Sequence, residues 1–260
     1  MPSPTPPESP AVVLSRRQYD AALLDLDGVV TRTAQVHAAA WERLFNAFLA
    51  ARAHARGEPF QPFTPEDYQR FVDGRPRLDG IRCFLESRGV SLPEGSPEDG
   101  PEAETVRGLG ARKNGYFLEA LQHNGVQVFP HAVGLLKRLR AAGFRTAVVS
   151  ASRNCEAVVR AAGLTHLFDA RVDGVEAGRL GLPGKPEPDT FLEAGRRLGV
   201  PPERAVVLED AQAGVQAGRR GHFGLVIGVR RAGPVGALVR AGADVEVTDL
   251  STVEVEEGAA

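Results

Sequence analysis

The stretch Ala21-Ala22-Leu23-Leu24-Asp25-Leu26-Asp27-Gly28 joins an apolar run to a pair of carboxylates. Four apolar residues between polar neighbours fit a strand buried on both faces. If the extended geometry persists past Leu24, residues two apart share a side. Asp25 and Asp27 then point together while Leu26 points into the core. Gly28 lets the chain turn sharply away from the strand tip. In open α/β sheets ligands bind beyond the carboxyl ends of the strands. Two carboxylates there can bind a hard cation, and one can attack phosphorus. A solvated Asp-Gly turn is written with the same residues. A calcium loop fits less well, since it needs acidic residues at alternate positions and Gly at the sixth.

Three further apolar runs resemble the first: Thr146 to Val149, Ala205 to Leu208 and Leu225 to Val229. Helical patterns separate them, among them Val133 to Ala142 with Leu135, Leu136 and Leu139 on one face. Strands alternating with helices predict a Rossmann-like, doubly wound parallel sheet covered on both sides. From about Thr33 to about Val126 the pattern changes. Helices are expected at Ala38–Ala53, Leu78–Arg88 and Arg107–Leu121, with no convincing strand, so this part reads as a helical insert after the first strand. The expected division is a disordered arm over 1–18, with five prolines in its first ten positions, an α/β core over 19–32 and 127–260, and the insert over 33–126.

Other strand ends carry polar groups too. Ser150-Ala151-Ser152-Arg153-Asn154 places hydroxyls before a helix, which suits a phosphate or a simple N-cap. Glu209-Asp210 is a second acidic pair, with helix capping as its plainer role. Gly184-Lys185-Pro186 holds an ammonium in a proline-stiffened loop. Only three of the 31 basic residues are lysines, Lys113, Lys137 and Lys185, so each is more informative than usual. Four polar strand tips in one chain outweigh the bland reading of each.

Composition narrows the function classes. The 260 residues are 43% hydrophobic and 25% charged, with a formal charge of −2, so no basic excess marks a nucleic-acid binder. No apolar run is long enough for a membrane span. The N-terminus lacks a signal-peptide layout, and two cysteines suit a reducing compartment. A cytoplasmic monomer acting on a small molecule is the default expectation.

Taken in order, these residues resemble the haloacid dehalogenase-like phosphotransferase superfamily. Asp25-x-Asp27-Gly28 matches its first motif, Ser150 the second, Lys185 the third and Glu209-Asp210 the fourth. The resemblance implies an aspartyl-phosphate on Asp25 and general acid/base work by Asp27. It implies Mg²⁺ held by Asp25, the main-chain carbonyl of Asp27 and Asp210, with Glu209 at the metal site. Ser150 and Lys185 would hold the transferring phosphoryl group. Asp27 must give and take a proton, which calls for a carboxyl raised toward neutrality.

Within the insert, the sequence is similar to the β-phosphoglucomutase branch. Thr33 and His37, followed by Trp41, match a segment in which both contact the acid/base. Gly74, Arg75 and Arg77 fall in a substrate-specificity loop, Arg77 matching an arginine that grips the idle phosphate. Lys113 matches a sugar-phosphate contact, and Ala151, Ser152 and Asn154 complete the mutase form of the second motif. The branch interconverts β-D-glucose 1-phosphate and glucose 6-phosphate, with glucose 1,6-bisphosphate as activator and intermediate. Arg32 replaces an acidic hinge residue, Asp73 replaces a lysine, and the connections near 57–65 and 91–101 are longer than in compact members. A sugar-phosphate phosphatase and a catalytically idle phosphate binder are the rival readings.

Overall fold

The computed structural model describes residues 12–256. Eight strands run through it: β1 Val12–Leu14, β2 Ala21–Leu24, β3 Arg145–Val149, β4 Ala170–Val172, β5 Ala205–Glu209, β6 Leu225–Val229, β7 Val245–Val247 and β8 Val253–Val255. Six of them form one parallel sheet in the order β4-β3-β2-β5-β6-β7. β2 is central, pairing Leu24 with Val148 on one side and with Leu208 on the other. This places Asp25 beside the tips of β3 and β5.

Alternation along the strands supplies two cores. Ala22, Leu24, Val148, Val206 and Leu208 face one layer of helices; Ala21, Leu23, Ala147, Val149 and Val207 face the other. A strand buried on both faces therefore has no polar position to spare until its tip. The first layer includes Leu135, Leu136 and Leu139 of the Pro130–Ala141 helix, and the second includes Phe191 and Leu198 of the Asp189–Leu198 helix.

Helices Thr33–Arg56, Arg77–Ser87 and Val106–Asn124 stand where helices were expected. They pack a third cluster of their own, built on Trp41, Phe45, Phe63, Phe84 and Leu109. Phe45 and Phe84 lie 4.1 Å apart between ring centroids. A short Pro65–Asp67 helix, closed by a Thr64–Asp67 capping box, and a π-helical turn at Tyr68–Val72 were not expected. The two segments joining this unit to the sheet run side by side: Thr31 bridges Val128, and the Arg32 amide donates to the Gln127 carbonyl at 2.8 Å.

The expected arm over 1–18 needs correction. Residues 1–11 lie outside the described part, but Val12–Leu14 form a strand paired in parallel with β8. Leu14 is fully buried. An apolar Val-Val-Leu triplet can pair with a strand about 240 residues away, and nothing local in the sequence announces that partner.

Candidate active site

Asp25 follows β2 directly and is 6% exposed. Its Oδ1 lies 2.5 Å from Lys185 Nζ, and Lys185 also donates to Glu209 and, at 3.3 Å, to the Val149 carbonyl. Burial pushes the Asp25 carboxyl well up; Lys185 opposes the rise, while Glu209 and Asp27 add to it. For Lys185 burial works against the charge, but Asp25 and Glu209 outweigh it and keep the ammonium protonated. Glu209 was expected at the metal. Instead one carboxylate oxygen takes Lys185 and the other accepts the Ala211 amide at 2.9 Å. A fully buried carboxylate needs such partners, and Glu209 is committed to holding the lysine.

Asp27 is gripped by three groups. The Thr33 hydroxyl donates to Oδ1, the Ser150 hydroxyl donates to Oδ2 at 3.1 Å, and His37 Nε2 stands 3.5 Å from Oδ1. His37 stacks on Phe117, and its Nδ1 lies 2.5 Å from Lys113 Nζ. Burial and the Arg77 charge push the Lys113 pKa well down; with Lys113 as donor, Nδ1 accepts and the neutral ring carries its proton on Nε2, toward Asp27. Burial and then Lys113 push the His37 pKa down, favouring that neutral form. Burial alone would raise the Asp27 carboxyl; His37, Thr33 and Ser150 override it and hold it at about 2. The expected rise toward neutrality is absent, because every partner of Asp27 favours its charged form.

The helical unit closes a cavity of about 640 Å³ over these residues. Of the expected substrate contacts, His37, Gly74, Arg75, Arg77, Lys113, Ala151 and Ser152 line it. Thr33 and Asn154 are not among the lining residues. Thr33 supports Asp27, and Asn154 donates to Asn114 at 3.0 Å, which in turn accepts from Arg77 at 2.8 Å. Both therefore hold contact residues instead of substrate. Several lining residues lay outside the predicted site, three of them polar groups close to its chemistry. Arg153 brings a second guanidinium near Arg77, and burial together with that charge lowers Arg77 to about 10. Asp73 and Tyr68 come from the π-helical turn; burial pushes the Asp73 carboxyl up to about 7, with Tyr68 as its hydrogen-bonding partner. Arg153 stood inside a quoted motif and had a findable signal. Asp73 stood out as a departure next to the specificity residues; Tyr68 had no such signal, since the π-helical turn that ends at Val72 brings it inward.

A divalent cation fits the residues present. Asp25 is buried and Asp210 half-buried, and desolvation, Asp73 and Glu209 raise Asp210 well above the ordinary carboxylate range. Crowded carboxylates with Lys185 as their close cation leave negative charge to be balanced. Gly28 has φ of +96°, and a Cβ there would overlap the Asp210 carboxylate, which packs against the turn after Asp27. Among the described residues no three Asp, Glu, His or Cys side chains group as a metal site. The two carboxylates and the Asp27 main-chain carbonyl would be the donors to such a cation, all of them oxygens suited to a hard ion.

A central strand of a parallel sheet, tipped by a lysine-held carboxylate and followed at once by an inserted helical unit, defines the α/β architecture of the chain. The chain belongs to the haloacid dehalogenase-like hydrolase family, which it matches over residues 19–222. It is 48% identical to a β-phosphoglucomutase of Mycobacterium bovis over 235 residues, 89% of this chain and 90% of that protein. It is 40% identical to an uncharacterized glycosyl hydrolase of Mycobacterium tuberculosis over 96% of this chain, but only 18% of that protein. The fold is shared with the crystal structure of a β-phosphoglucomutase from Clostridium difficile, with a TM-score of 0.70, 24% identity, and coverage of 91% and 93% of the two chains.

Proposed function

We propose that the protein is a Mg²⁺-dependent β-phosphoglucomutase, interconverting β-D-glucose 1-phosphate and glucose 6-phosphate through an aspartyl-phosphate on Asp25 and glucose 1,6-bisphosphate. The observation that carries this is one cavity whose lining joins Asp25 and Lys185 below the helical unit to further cationic side chains, Arg77 and Arg153 among them. Lys185 stands at Asp25, while Arg77 is held apart from it by the Gly110 carbonyl and Asn114, with the Arg153 charge near it. A mutase must grip an idle phosphate while the other is transferred, and a simple phosphatase has no such need. The similarity to the mycobacterial enzyme supports the same reading.

In this reading an Asp25 carboxylate oxygen attacks phosphorus, and Lys185 with the Ser150 region balances the phosphoryl charge. Bound Mg²⁺, held by Asp25, the Asp27 carbonyl and Asp210, would supply the remaining charge neutralisation. Asp27 gives a proton to the leaving sugar oxygen and takes one from the next sugar hydroxyl. A phosphate dianion beside it opposes its negative charge and raises its proton affinity against the pull of His37, Thr33 and Ser150. The substrate is a small sugar phosphate, and a cytoplasmic monomer remains the proposed setting. Among the described residues no helix is long and apolar enough to cross a membrane.

The test follows β-glucose 1-phosphate with Mg²⁺ and a trace of glucose 1,6-bisphosphate, recording glucose 6-phosphate and inorganic phosphate in one tube. Glucose 6-phosphate with little free phosphate is expected. Free phosphate equal to substrate lost would make the protein a phosphatase.

A further inference from the structure

Arg231 lies just beyond β6, outside every motif of the sequence, and the roles assigned above leave it idle. Its guanidinium reaches across to the turn behind the paired aspartates. Nε donates to the Gly28 carbonyl at 2.6 Å, Nη2 to the Val29 carbonyl at 3.5 Å, and Nη1 to the Thr248 carbonyl at 3.3 Å. The same group lies 3.8 Å from the ring centroid of Phe129. Phe129 is on the segment returning from the helical unit, and its amide donates to the Val30 carbonyl at 2.9 Å. One side chain thus touches the loop that follows the aspartates, the C-terminal part of the sheet and the hinge.

The turn needs such a clamp. Gly28 sits at positive φ with no side chain to fix its peptide planes, and its amide is tied only to the Thr31 carbonyl at 2.8 Å. A planar guanidinium offers its donors in a fixed fork, so it can orient two successive carbonyls at once. We infer that Arg231 is a positioning residue that locks the Gly28 and Val29 peptides behind Asp27 and ties them to Phe129 at the hinge. The inference rests on the proposed function, in which the Asp27 main chain helps hold Mg²⁺ and its side chain moves the proton. Arg231 is not among the cavity's lining residues and bonds none of the groups proposed to grip the sugar phosphate. Its charge acts on Asp210, so losing the charge alone would tighten Mg²⁺, whereas losing the clamp weakens Mg²⁺ binding and turnover and leaves substrate binding alone.

The experiment compares Arg231→Met and Arg231→Lys in the full chain, using calorimetric Mg²⁺ titration and steady-state kinetics with β-glucose 1-phosphate. For the Met variant the Mg²⁺ Kd should rise about 10-fold and kcat fall about 10- to 100-fold, as for other groups that orient metal ligands. KM should stay within about threefold, since uniform substrate binding is untouched. Lysine keeps the charge but offers one nitrogen, so it should behave like the Met variant. Full recovery by lysine would reduce the role to charge and overturn the assignment. So would native Mg²⁺ affinity and kcat in either variant, or a rise in KM alone. If the Met variant fails to fold, the Lys variant decides by the same criteria. A wild-type protein that takes up no Mg²⁺ would overturn the functional reading as well, which separates the two failures.

Discussion

Thr33 carries two short contacts at once, to the Asp27 carboxylate and to the Thr31 hydroxyl at 2.6 Å. Removing its hydroxyl separates electrostatics from packing. Burial raises the Asp27 carboxyl, and His37, Thr33 and Ser150 together bring it down to about 2, below its ordinary 3.8. A carboxyl depressed on folding contributes stability that is fully present above its unfolded pKa and is lost as pH falls through the folded value. Thr33→Val should therefore cost about 1.5–3 kcal/mol at pH 7, the worth of one hydrogen bond to a charged group. The cost should shrink steadily between pH 4 and pH 2. Urea unfolding at pH 7, 4 and 3 measures it, and a penalty that stays constant would place the loss in packing. The motif residues Asp25, Asp27, Ser150 and Asp210 were legible because a strand buried on both faces leaves polar groups only at its tip. Lys185, expected at a strand tip, lies between helices Gly174–Leu180 and Asp189–Leu198 and was legible as a rare lysine in a proline-stiffened loop. Arg231 and Tyr68 were not, because their roles exist only after distant segments meet.

Between elements, the loop that carries Gly74, Arg75 and Pro76 meets the α/β core at a very small residue, Gly184. Gly184 has ordinary backbone angles, so conformational freedom does not explain it. A Cβ there would overlap the Pro76 ring, lying 2.7 Å from Cδ but 3.6 Å from Cβ. Gly184→Ala should therefore hold the helical unit away from Asp25. Overpacking of this kind costs about 1–3 kcal/mol, roughly 5- to 150-fold in the closed population. Turnover of the sugar phosphate should fall by that factor with little change in Tm, and Pro76→Ala in the same chain should restore it, since the clash is with ring atoms that alanine lacks. Failure of the second change to rescue would show that Gly184 serves Lys185 and not closure. Elements differ in legibility for a related reason. β2, β3, β5 and β6 are continuous apolar runs inside the sheet. β4 and β7 are three-residue edge strands carrying Arg171 and Glu246 at their centres, and nothing in so short and polar a stretch distinguishes a strand from a loop.

Across the whole molecule, the N-terminal strand closes the fold by pairing with the last one. Val12 is in register with Val253 and Leu14 with Val255, and the Glu256 amide donates to the Leu14 carbonyl at 2.9 Å. Leu14 shares its cluster with Leu250, Val253 and the Leu135–Leu139 face of the helix that begins at the hinge. Arg138 of that helix donates to the Val253 carbonyl at 3.0 Å, so the chain ends and the post-hinge helix are fastened together. The residues of the cavity come from the strand tips and the helical unit, and none comes from β1 or β8. Leu14→Ala should therefore destabilise without touching the chemistry. A buried leucine cut to alanine costs about 2–5 kcal/mol, which in a chain of this size lowers Tm by about 5–15 °C. At 25 °C, kcat of the folded fraction should be unchanged. Calorimetry paired with kinetics on the same sample measures both. An unaltered Tm would mean that the strand pair adds nothing to the fold, whereas a fall in kcat with the protein still folded would mean that the hinge feels the chain ends.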